Sequence, residues 1–325
     1  MTSLLGIVLG LVLLIMGGGA LVTGASQIAV RFRVSPMIVG LTIVGFGTSA
    51  PELVVNIVGG LRGESALAFG NVVGSNISNL ALVLGVAAIL QAINIEGTVV
   101  RREVPLLLLI TTIMTVMAMD TVLEGDTPQF GRTDAVVLIL LFAIFVYITV
   151  QDVLLTRKKD PLLAEIDENP LVVTEQVSRF HWLYVLMGFA LLFVGGEMTV
   201  RYSVLFAEQL GVSTVIVGLF VVAVGTSMPE LITSIIAAWR KESDLALGNI
   251  LGSNVFNSLI VLPAGALAGN VTVPKGGIQD LLVSWALAAI LIPIFLFGRA
   301  RLGRTTGLLL LAGYFSYAVL RIVMY

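Results

Sequence analysis

The sequence of 325 residues has no cysteine and one histidine, and only 12% of its residues are charged. Without cysteine, the chain has no disulfides, no thiolate metal ligands and no cysteine nucleophile. A water-soluble domain carries roughly a quarter of its residues as charges, so this composition excludes a soluble enzyme. The net charge of -2 and the pI near 5.5 exclude the basic surface that binds nucleic acid.

Hydrophobic residues make up 58% of the chain, and the mean hydropathy is +1.05. Because one membrane-spanning helix uses about 20 to 25 apolar residues, ten helices would occupy most of this length. We therefore predict an all-α polytopic membrane protein. The N-terminus lacks the cationic region of a cleavable signal peptide, so we expect the first span to be retained. The ten predicted spans cover residues 4–25, 36–60, 66–92, 104–122, 133–152, 182–206, 213–238, 245–269, 279–298 and 304–323.

Residues 35–79 are repeated in residues 213–257. Aligned without a gap at an offset of 178, the two segments agree at 24 of 45 positions. Five spans separate the copies, so they enter the membrane in opposite directions. Inverted repeats of this kind build secondary transporters, in which the substrate binds near the midplane where the halves meet. The matches include polar residues that are rare inside membranes, namely Glu52 with Glu230, Asn71 with Asn249, Asn76 with Asn254 and Asn79 with Asn257.

We accordingly predict ten transmembrane helices arranged as two inverted five-helix repeats, residues 1–152 and 182–325, joined by a short linker at 153–181. If the spans alternate in direction, one side of the membrane carries 13 Lys and Arg residues and the other carries 5, which together make 18. The richer side faces the cytoplasm by the positive-inside rule. This predicts a bacterial-type inner (plasma) membrane protein with both termini outside and the central loop in the cytoplasm.

Each copy contains the segment Gly-Thr-Ser-x-Pro-Glu deep inside a span. Proline lacks an amide hydrogen and clashes with the carbonyl four residues earlier, so the carbonyl of Gly47 and its counterpart in the second copy should lose their helical partners. Thr48 and Glu52 are four residues apart and are predicted to share a helix face, as are Thr226 and Glu230. The pattern predicts hydroxyl, carbonyl and carboxylate oxygens on one wall of each span.

A second segment, Gly-Asn-x-x-Gly-Ser-Asn-x-x-Asn, begins at Gly70 in the first copy and at Gly248 in the second. Its polar side chains recur every four residues, which gives each helix a polar stripe. Its glycines allow neighbouring backbones to come close. Interhelical hydrogen bonding is the alternative to ion binding for these side chains, and we interpret four of them as scaffold: Asn71, Asn76, Asn249 and Asn254.

Two glutamates in spans without an interior Lys or Arg need a counter-charge. A carboxylate at the centre of a bilayer costs on the order of 3 kcal/mol unless something compensates it. Glutamates surrounded by hydroxyl, amide and carbonyl oxygens are typical of a site for hard cations. One calcium ion or two sodium ions would neutralise the pair equally well. This equivalence favours ion exchange, because one calcium ion or two sodium ions give a neutral site, whereas the empty, doubly charged site costs free energy in the bilayer.

The two motifs resemble the alpha repeats of the cation/calcium exchanger superfamily, in its bacterial sodium/calcium antiporter branch. The resemblance implies a secondary active antiporter, not an enzyme, that exchanges sodium for calcium by alternating access. It implies calcium and sodium as cargo within a lipid bilayer, with no cofactor, no nucleic acid and no obligate protein partner. The ion ligands that it implies are Thr48, Ser49, Glu52, Ser75, Asn79, Thr226, Ser227, Glu230, Ser253 and Asn257.

The family resemblance also implies how the transporter moves. The first and sixth spans would slide across a core formed by the second, third, seventh and eighth spans. Glycines at 17–19 and 195–196 would form the sliding surface, and helix packing is the alternative role for them. Backbone carbonyls near Gly45 and Ala223 would add sodium ligands.

Some relatives, including the potassium-dependent branch, carry Asp at the position of Asn257, so we expect no potassium coupling. A calcium/proton exchanger is the nearest alternative, because a buried glutamate can carry a proton. A passive cation channel is a second alternative, which would need no counter-ion. An intramembrane hydrolase is disfavoured because His181, the single histidine, lies outside the predicted spans.

Overall fold

A computed structural model describes residues 2–94, 102–119, 127–159, 180–209, 223–297 and 301–324. The helices of the first half are α1 (Thr2–Phe32), α2 (Pro36–Thr48), α3 (Ala50–Arg62), α4 (Ser65–Leu90), α5 (Val104–Met117) and α6 (Arg132–Lys159). Those of the second half are α7 (His181–Gln209), α8 (Ala223–Thr226), α9 (Met228–Trp239), α10 (Ser243–Ala268), α11 (Gly277–Phe297) and α12 (Arg304–Met324). The strands are β1 (Ile93–Asn94), β2 (Gln129–Phe130), β3 (Val271–Thr272) and β4 (Arg301–Leu302).

The described helices account for the ten predicted spans. Seven single helices are long and apolar enough to cross a membrane, and α2 with α3 forms one further span bent by 44°. The shorter apolar helices α5 and α9 fall in the fourth and seventh predicted spans. Residues 120–122 and 213–222 of those two spans, and 160–179 of the central linker, lie outside the described residues.

The outer helices of the bundle present apolar side chains to their surroundings. On α12, Leu309 is 69% exposed and Val323 is 78% exposed, whereas α4 and α10 are mostly buried. An apolar surface of this extent belongs in a lipid bilayer. The two helices that carry the polar stripes, α4 and α10, therefore form the centre of the bundle.

The peripheral elements of the two halves also correspond, at an offset close to that of the sequence repeat: 172 residues separate the starts of α6 and α12. β1 and β3 lie 178 residues apart, and each pairs with a strand of the other half, β1 with β4 and β3 with β2. Likewise, α12 packs on α4, and its counterpart α6 packs on α10. Both central helices contain a π-helical segment at matching positions, Ser78–Val83 in α4 and Asn257–Val261 in α10. The repeat found in 45 residues thus extends to the whole fold.

Helices α1 and α7 form an antiparallel pair that packs along its whole length. A Cβ atom added at Gly17 would lie 2.7 Å from the backbone nitrogen of Leu192, and one added at Gly195 would lie 2.8 Å from the carbonyl oxygen of Gly10. Glycine is therefore needed for this close approach. The sliding role implied for Gly17 and Gly195 is therefore wrong, since both glycines pack α1 against α7. Gly18, in contrast, faces α9 of the core.

Helix α10 lies directly against α2. A Cβ atom at Gly248 would lie 2.4 Å from the carbonyl oxygen of Met37, and one at Gly252 would lie 2.3 Å from that of Leu41. Neither position has room for a side chain. This backbone contact brings the polar stripe of the second half next to Thr48, at the end of α2.

We expect Gly252→Ala to destabilise the protein by about 1 to 3 kcal/mol, because the added methyl group overpacks against the backbone of α2. The measurement is the midpoint of thermal unfolding in detergent. Gly313→Ala in α12 is the matched control, since no atom of the described residues lies within 4 Å of its added Cβ. Equal midpoints for both variants would contradict the prediction.

Candidate ion-binding site

A break in the second span places Glu52 inside the bundle. α2 ends at Thr48, Ser49 has a non-helical backbone (φ -86°, ψ 8°), and Pro51 lies in the first turn of α3. Pro51 cannot continue the hydrogen bonds of α2, because it has no amide hydrogen. Glu52 therefore lies in the first turn of a new helix, where the helix dipole stabilises negative charge.

The seventh span repeats this break. Ser227, with φ -85° and ψ 8°, separates α8 from α9, and Glu230 lies in the first turn of α9. The corners at Ser49 and Ser227 agree within one degree in φ, so the two motifs are copies in conformation as well as in sequence. The prediction of one continuous helix face through each motif is wrong, because each corner ends the helix before the glutamate.

The two glutamates are fully buried, and most of their carboxylate oxygens lack partners. Both have 0% exposure. Within the described residues, neither oxygen of Glu52 has a hydrogen-bond partner, and neither does Oε2 of Glu230. Oε1 of Glu230 accepts a hydrogen bond from Ser49 Oγ at 2.9 Å. The two carboxyl groups also interact electrostatically with each other. Because an unpaired buried charge costs free energy, these three oxygens are candidates for binding a ligand from outside the chain.

Hydroxyl groups from both halves meet at the two breaks. Thr48 Oγ1 lies 3.3 Å from Ser253 Oγ, and Ser227 Oγ donates to Ser75 Oγ at 3.2 Å. Each contact joins one half of the molecule to the other, as the contact between Ser49 and Glu230 does. Six of the ten predicted ligands are thus joined by direct hydrogen bonds, and electrostatic interaction with Glu230 adds Glu52 as the seventh.

The remaining three predicted ligands occupy the same elements. Asn79 lies in the π-helical segment of α4 and donates to Asn254 Oδ1 at 3.2 Å, while its own Oδ1 has no partner among the described residues. Asn257 begins the π-helical segment of α10, and neither its Oδ1 nor its Nδ2 has a partner there. The described hydrogen bonds join neither asparagine to a carboxylate. Thr226 is half-buried at the end of α8, beside Ser227.

Two asparagines hold the backbone of the glutamates. Asn71 Nδ2 donates to the carbonyl oxygen of Glu52 at 3.2 Å, and Asn249 Nδ2 donates to that of Glu230 at 3.3 Å. Asn249 Oδ1 also accepts from Thr48 Oγ1 at 3.0 Å. These contacts agree with the interpretation of Asn71 and Asn249 as scaffold. The other two asparagines bond across the halves, because Asn76 donates to Ser258 and Asn254 accepts from Asn79.

The sequence reasoning missed the partners that anchor this scaffold. Asn71 Nδ2 also donates to Asn56 Oδ1 at 2.7 Å, and Asn249 Nδ2 donates to Ser234 Oγ at 2.9 Å. Asn56 and Ser234 align at the offset of 178 and lie four residues after their glutamates. A polar residue retained at this position in both copies was the signal that could have identified them.

One predicted backbone ligand lies among the hydroxyl groups. The carbonyl oxygen of Gly45 accepts from Ser253 Oγ at 3.1 Å and from Thr48 Oγ1 at 3.3 Å. Ala223, named for the same role in the second half, begins α8, and its role stays a prediction.

A cavity of about 280 Å³ borders this cluster. It is lined by Thr48 and Pro51 at the first corner, by Pro229 at the second, and by Phe189 and Phe193 of α7. The cavity therefore lies between the two proline corners and helix α7.

The donor set consists of oxygen atoms, with two carboxylates among them. Within the part of the chain that the structure describes, no group of three or more His, Cys, Asp or Glu side chains could hold a metal. Hard cations such as calcium and sodium prefer carboxylate, hydroxyl and carbonyl oxygens. The site therefore offers two negative charges and neutral oxygens to such an ion.

Comparison with known proteins identifies the family. The sequence model of the family described as Sodium/calcium exchanger protein matches residues 2–151 and 180–323. The chain belongs to the sodium/calcium exchanger family. The predicted fold and superfamily are thereby confirmed, and the protein is an antiporter of this family and not an enzyme, which excludes the intramembrane hydrolase.

Individual relatives cover nearly the whole chain. CaxA of Alkalimonas amylolytica, which is named as an antiporter, is 36% identical over 97% of each chain. A structure of the sodium-calcium exchanger NCX_Mj superposes with a TM-score of 0.82 at 29% identity, covering 98% of this chain and 97% of that one. A protein named Ca(2+)/H(+) antiporter, of Aphanothece halophytica, is 25% identical over 76% of this chain and 70% of its own length.

We expect Asn249→Ala to weaken calcium binding, because the substitution frees the backbone of Glu230 and leaves buried polar groups without partners at a cost of about 1 to 3 kcal/mol. The measurement is the calcium-induced rise of the thermal unfolding midpoint, which reports affinity for the folded state. Asn270→Ala is the control, since this exposed side-chain amide bonds Gln129, outside the site. A calcium-induced rise that is the same in both variants would refute the scaffold role.

Proposed function

We propose that this exchanger transports calcium against sodium at the site formed by Glu52 and Glu230. The observation that carries the proposal is the burial of two carboxylates, one from each inverted half, with three oxygens lacking partners among the described residues. A cation that enters the site supplies the missing interaction. The name of the NCX_Mj relative supports sodium as the counter-ion.

The charge of the site explains why transport is an exchange. One calcium ion or two sodium ions bring the two carboxylates to neutrality, whereas the empty site keeps two negative charges in a medium that penalises them. With ions bound, the protein can therefore switch the side of the membrane to which the site is open. With the site empty, the same switch has a much higher free-energy barrier. This coupling gives alternating access with obligatory counter-transport, and it separates the protein from a passive channel.

The ligand set that we propose follows the repeat. Hydrogen bonds between the halves support six members, and the electrostatic interaction of the carboxylates supports Glu52. Asn79 and Asn257 are included because π-helical segments expose polar groups at functional sites, and Thr226 because it repeats Thr48. The proposed ligands are Thr48, Ser49, Glu52, Ser75, Asn79, Thr226, Ser227, Glu230, Ser253 and Asn257.

The membrane arrangement is a separate proposal. The asymmetry of 13 to 5 basic residues supports an inner membrane orientation with both termini outside. In this orientation the ends of α3 and α9 face opposite sides, Arg62 outward and Arg240 toward the cytoplasm. The division into repeats at 1–152 and 182–325, with a cytoplasmic linker at 153–181, belongs to the same proposal.

Proton coupling is the second candidate. It is favoured by the similarity to a protein named Ca(2+)/H(+) antiporter and by the capacity of a buried carboxylate to bind a proton. Calcium uptake into proteoliposomes, measured under sodium, potassium and proton gradients in turn, separates the candidates. We expect uptake with the sodium gradient alone. Uptake driven by protons in sodium-free vesicles would establish the alternative, and uptake without any counter-ion would indicate a channel.

We expect Glu52→Gln and Glu230→Gln each to lower sodium-driven calcium uptake by about two orders of magnitude. The neutral side chain leaves a divalent ion half compensated, a loss on the order of 3 kcal/mol. The measurement is the initial rate in proteoliposomes with matched protein content. Glu64→Gln, an exposed carboxylate outside the site, is the control. Normal uptake in both site variants would refute the assignment.

A further inference from the structure

Helix α1 packs on α9 of the core, and the matching contact between α7 and α3 is not made at the corresponding glycine. A Cβ atom added at Gly18 of α1 would lie 2.8 Å from Ile236 of α9. The matching residue of α7 is Gly196, whose added Cβ would meet no atom of the described residues within 4 Å. Correspondingly, Ile236 is 8% exposed, and its counterpart Val58 in α3 is 37% exposed. We call the contact between Gly18 of α1 and α9 closed, and the matching position between Gly196 of α7 and α3, where this contact is not made, open.

A hydrogen-bonded arginine holds the closed contact. Arg240, the residue after α9, donates to the carbonyl oxygen of Gly19 at 3.1 Å and to Thr23 Oγ1 at 2.7 Å. The hydroxyl of Thr23 donates in turn to the carbonyl oxygen of Gly19 at 2.8 Å, which holds both acceptors in place. Arg240 thereby links the core directly to the movable pair.

The sequence repeat places the same residue type at the open end. Arg62 ends α3 at the position that matches Arg240, and the counterparts of Gly19 and Thr23 in α7 are Glu197 and Arg201. Arg62 and Glu197 are exposed, and neither has a hydrogen bond or ion pair with another described residue. Charged residues within membrane helices face water or bind a partner, so Glu197 has a partner to gain when the pair moves.

We propose that Arg62 and Glu197 form an ion pair that holds α7 against α3 in the alternate access state, in which Arg240 releases α1. The two halves share one fold in opposite orientations, so the packing used at one end is available at the other. In that packing Gly196 would lie on Val58, as Gly18 lies on Ile236 here. This inference rests on the proposed function in one respect: the protein must have two access states, each open to one side of the membrane.

The two contacts differ in chemistry. Arg240 binds a carbonyl and a hydroxyl, which are neutral, whereas Arg62 would bind a carboxylate, and charge-assisted hydrogen bonds are the stronger kind. Arg201 takes the place of Thr23 and repels Arg62, which leaves Glu197 as the acceptor. The alternate state would accordingly be held by a contact that is weakened by salt.

Paired cysteines test the proposal cleanly because the natural chain has none. Val58→Cys with Gly196→Cys should form a disulfide only when α7 docks on α3, measured by mass spectrometry after oxidation and proteolysis. Adding Arg62→Gln or Glu197→Gln should lower the disulfide yield about two- to fivefold, as for a partly exposed ion pair. Exchanging the charges, with Arg62→Glu and Glu197→Arg together, should restore it, and Glu64→Gln should leave it unchanged.

A second pair reports the closed contact. Gly18→Cys with Ile236→Cys should form a disulfide in the state described here, and its yield should rise when that of the first pair falls. Two results would overturn the proposal. One is a disulfide yield between positions 58 and 196 that neither Arg62→Gln nor Glu197→Gln changes. The other is the absence of this disulfide both in sodium and in calcium. Oxidation needs no ion gradient, so a failure of sodium-driven uptake in the transport assay remains a separate result.

Discussion

Two carboxylates buried in an apolar bundle, with no basic side chain of the described residues paired to them, are the constraint on which the rest of the molecule depends. Each costs free energy in a bilayer unless charge compensates it, and three of the four oxygens lack a partner among the described residues. The helix breaks, the hydroxyl clusters and the asparagine scaffold all serve to keep these oxygens in place. In the proposed function a cation supplies the charge that these carboxylates lack.

The backbone supports this arrangement in two ways. At each proline corner a new helix begins with a glutamate in its first turn, so the positive end of the helix dipole lies near the carboxylate. At Gly248 and Gly252, α10 lies on the backbone of α2, and this contact holds hydroxyl groups of one half against the other. The rigid part of the molecule is therefore assembled from both repeats, and neither repeat could form the site alone.

Glycine has a different use in the pair of α1 and α7. The two backbones touch each other through Gly17 and Gly195, so the pair behaves as one unit. Toward the core, by contrast, Gly18 presents a smooth surface to the side chains of α9. Close packing inside the pair and a smooth glycine surface toward α9 fit the proposed movement of the pair as a unit. In that proposal, the contact at Arg240 and the exposed Arg62 belong to one of its two positions.

The sequence by itself determined the class of protein, the ten spans, the inverted repeat and the polar residues at its centre. Hydropathy and the repeat can be read directly along the chain. The repeat matches Glu52 with Glu230 and Asn71 with Asn249. They cannot state which side chains meet across the halves. The bond from Ser49 to Glu230, the anchoring by Asn56 and Ser234, the π-helical segments and the facing of Gly17 toward α7 were decided by the tertiary structure. The physical reason is that an inverted repeat makes its two halves alike in sequence, whereas the packing of the movable pair against them is unequal.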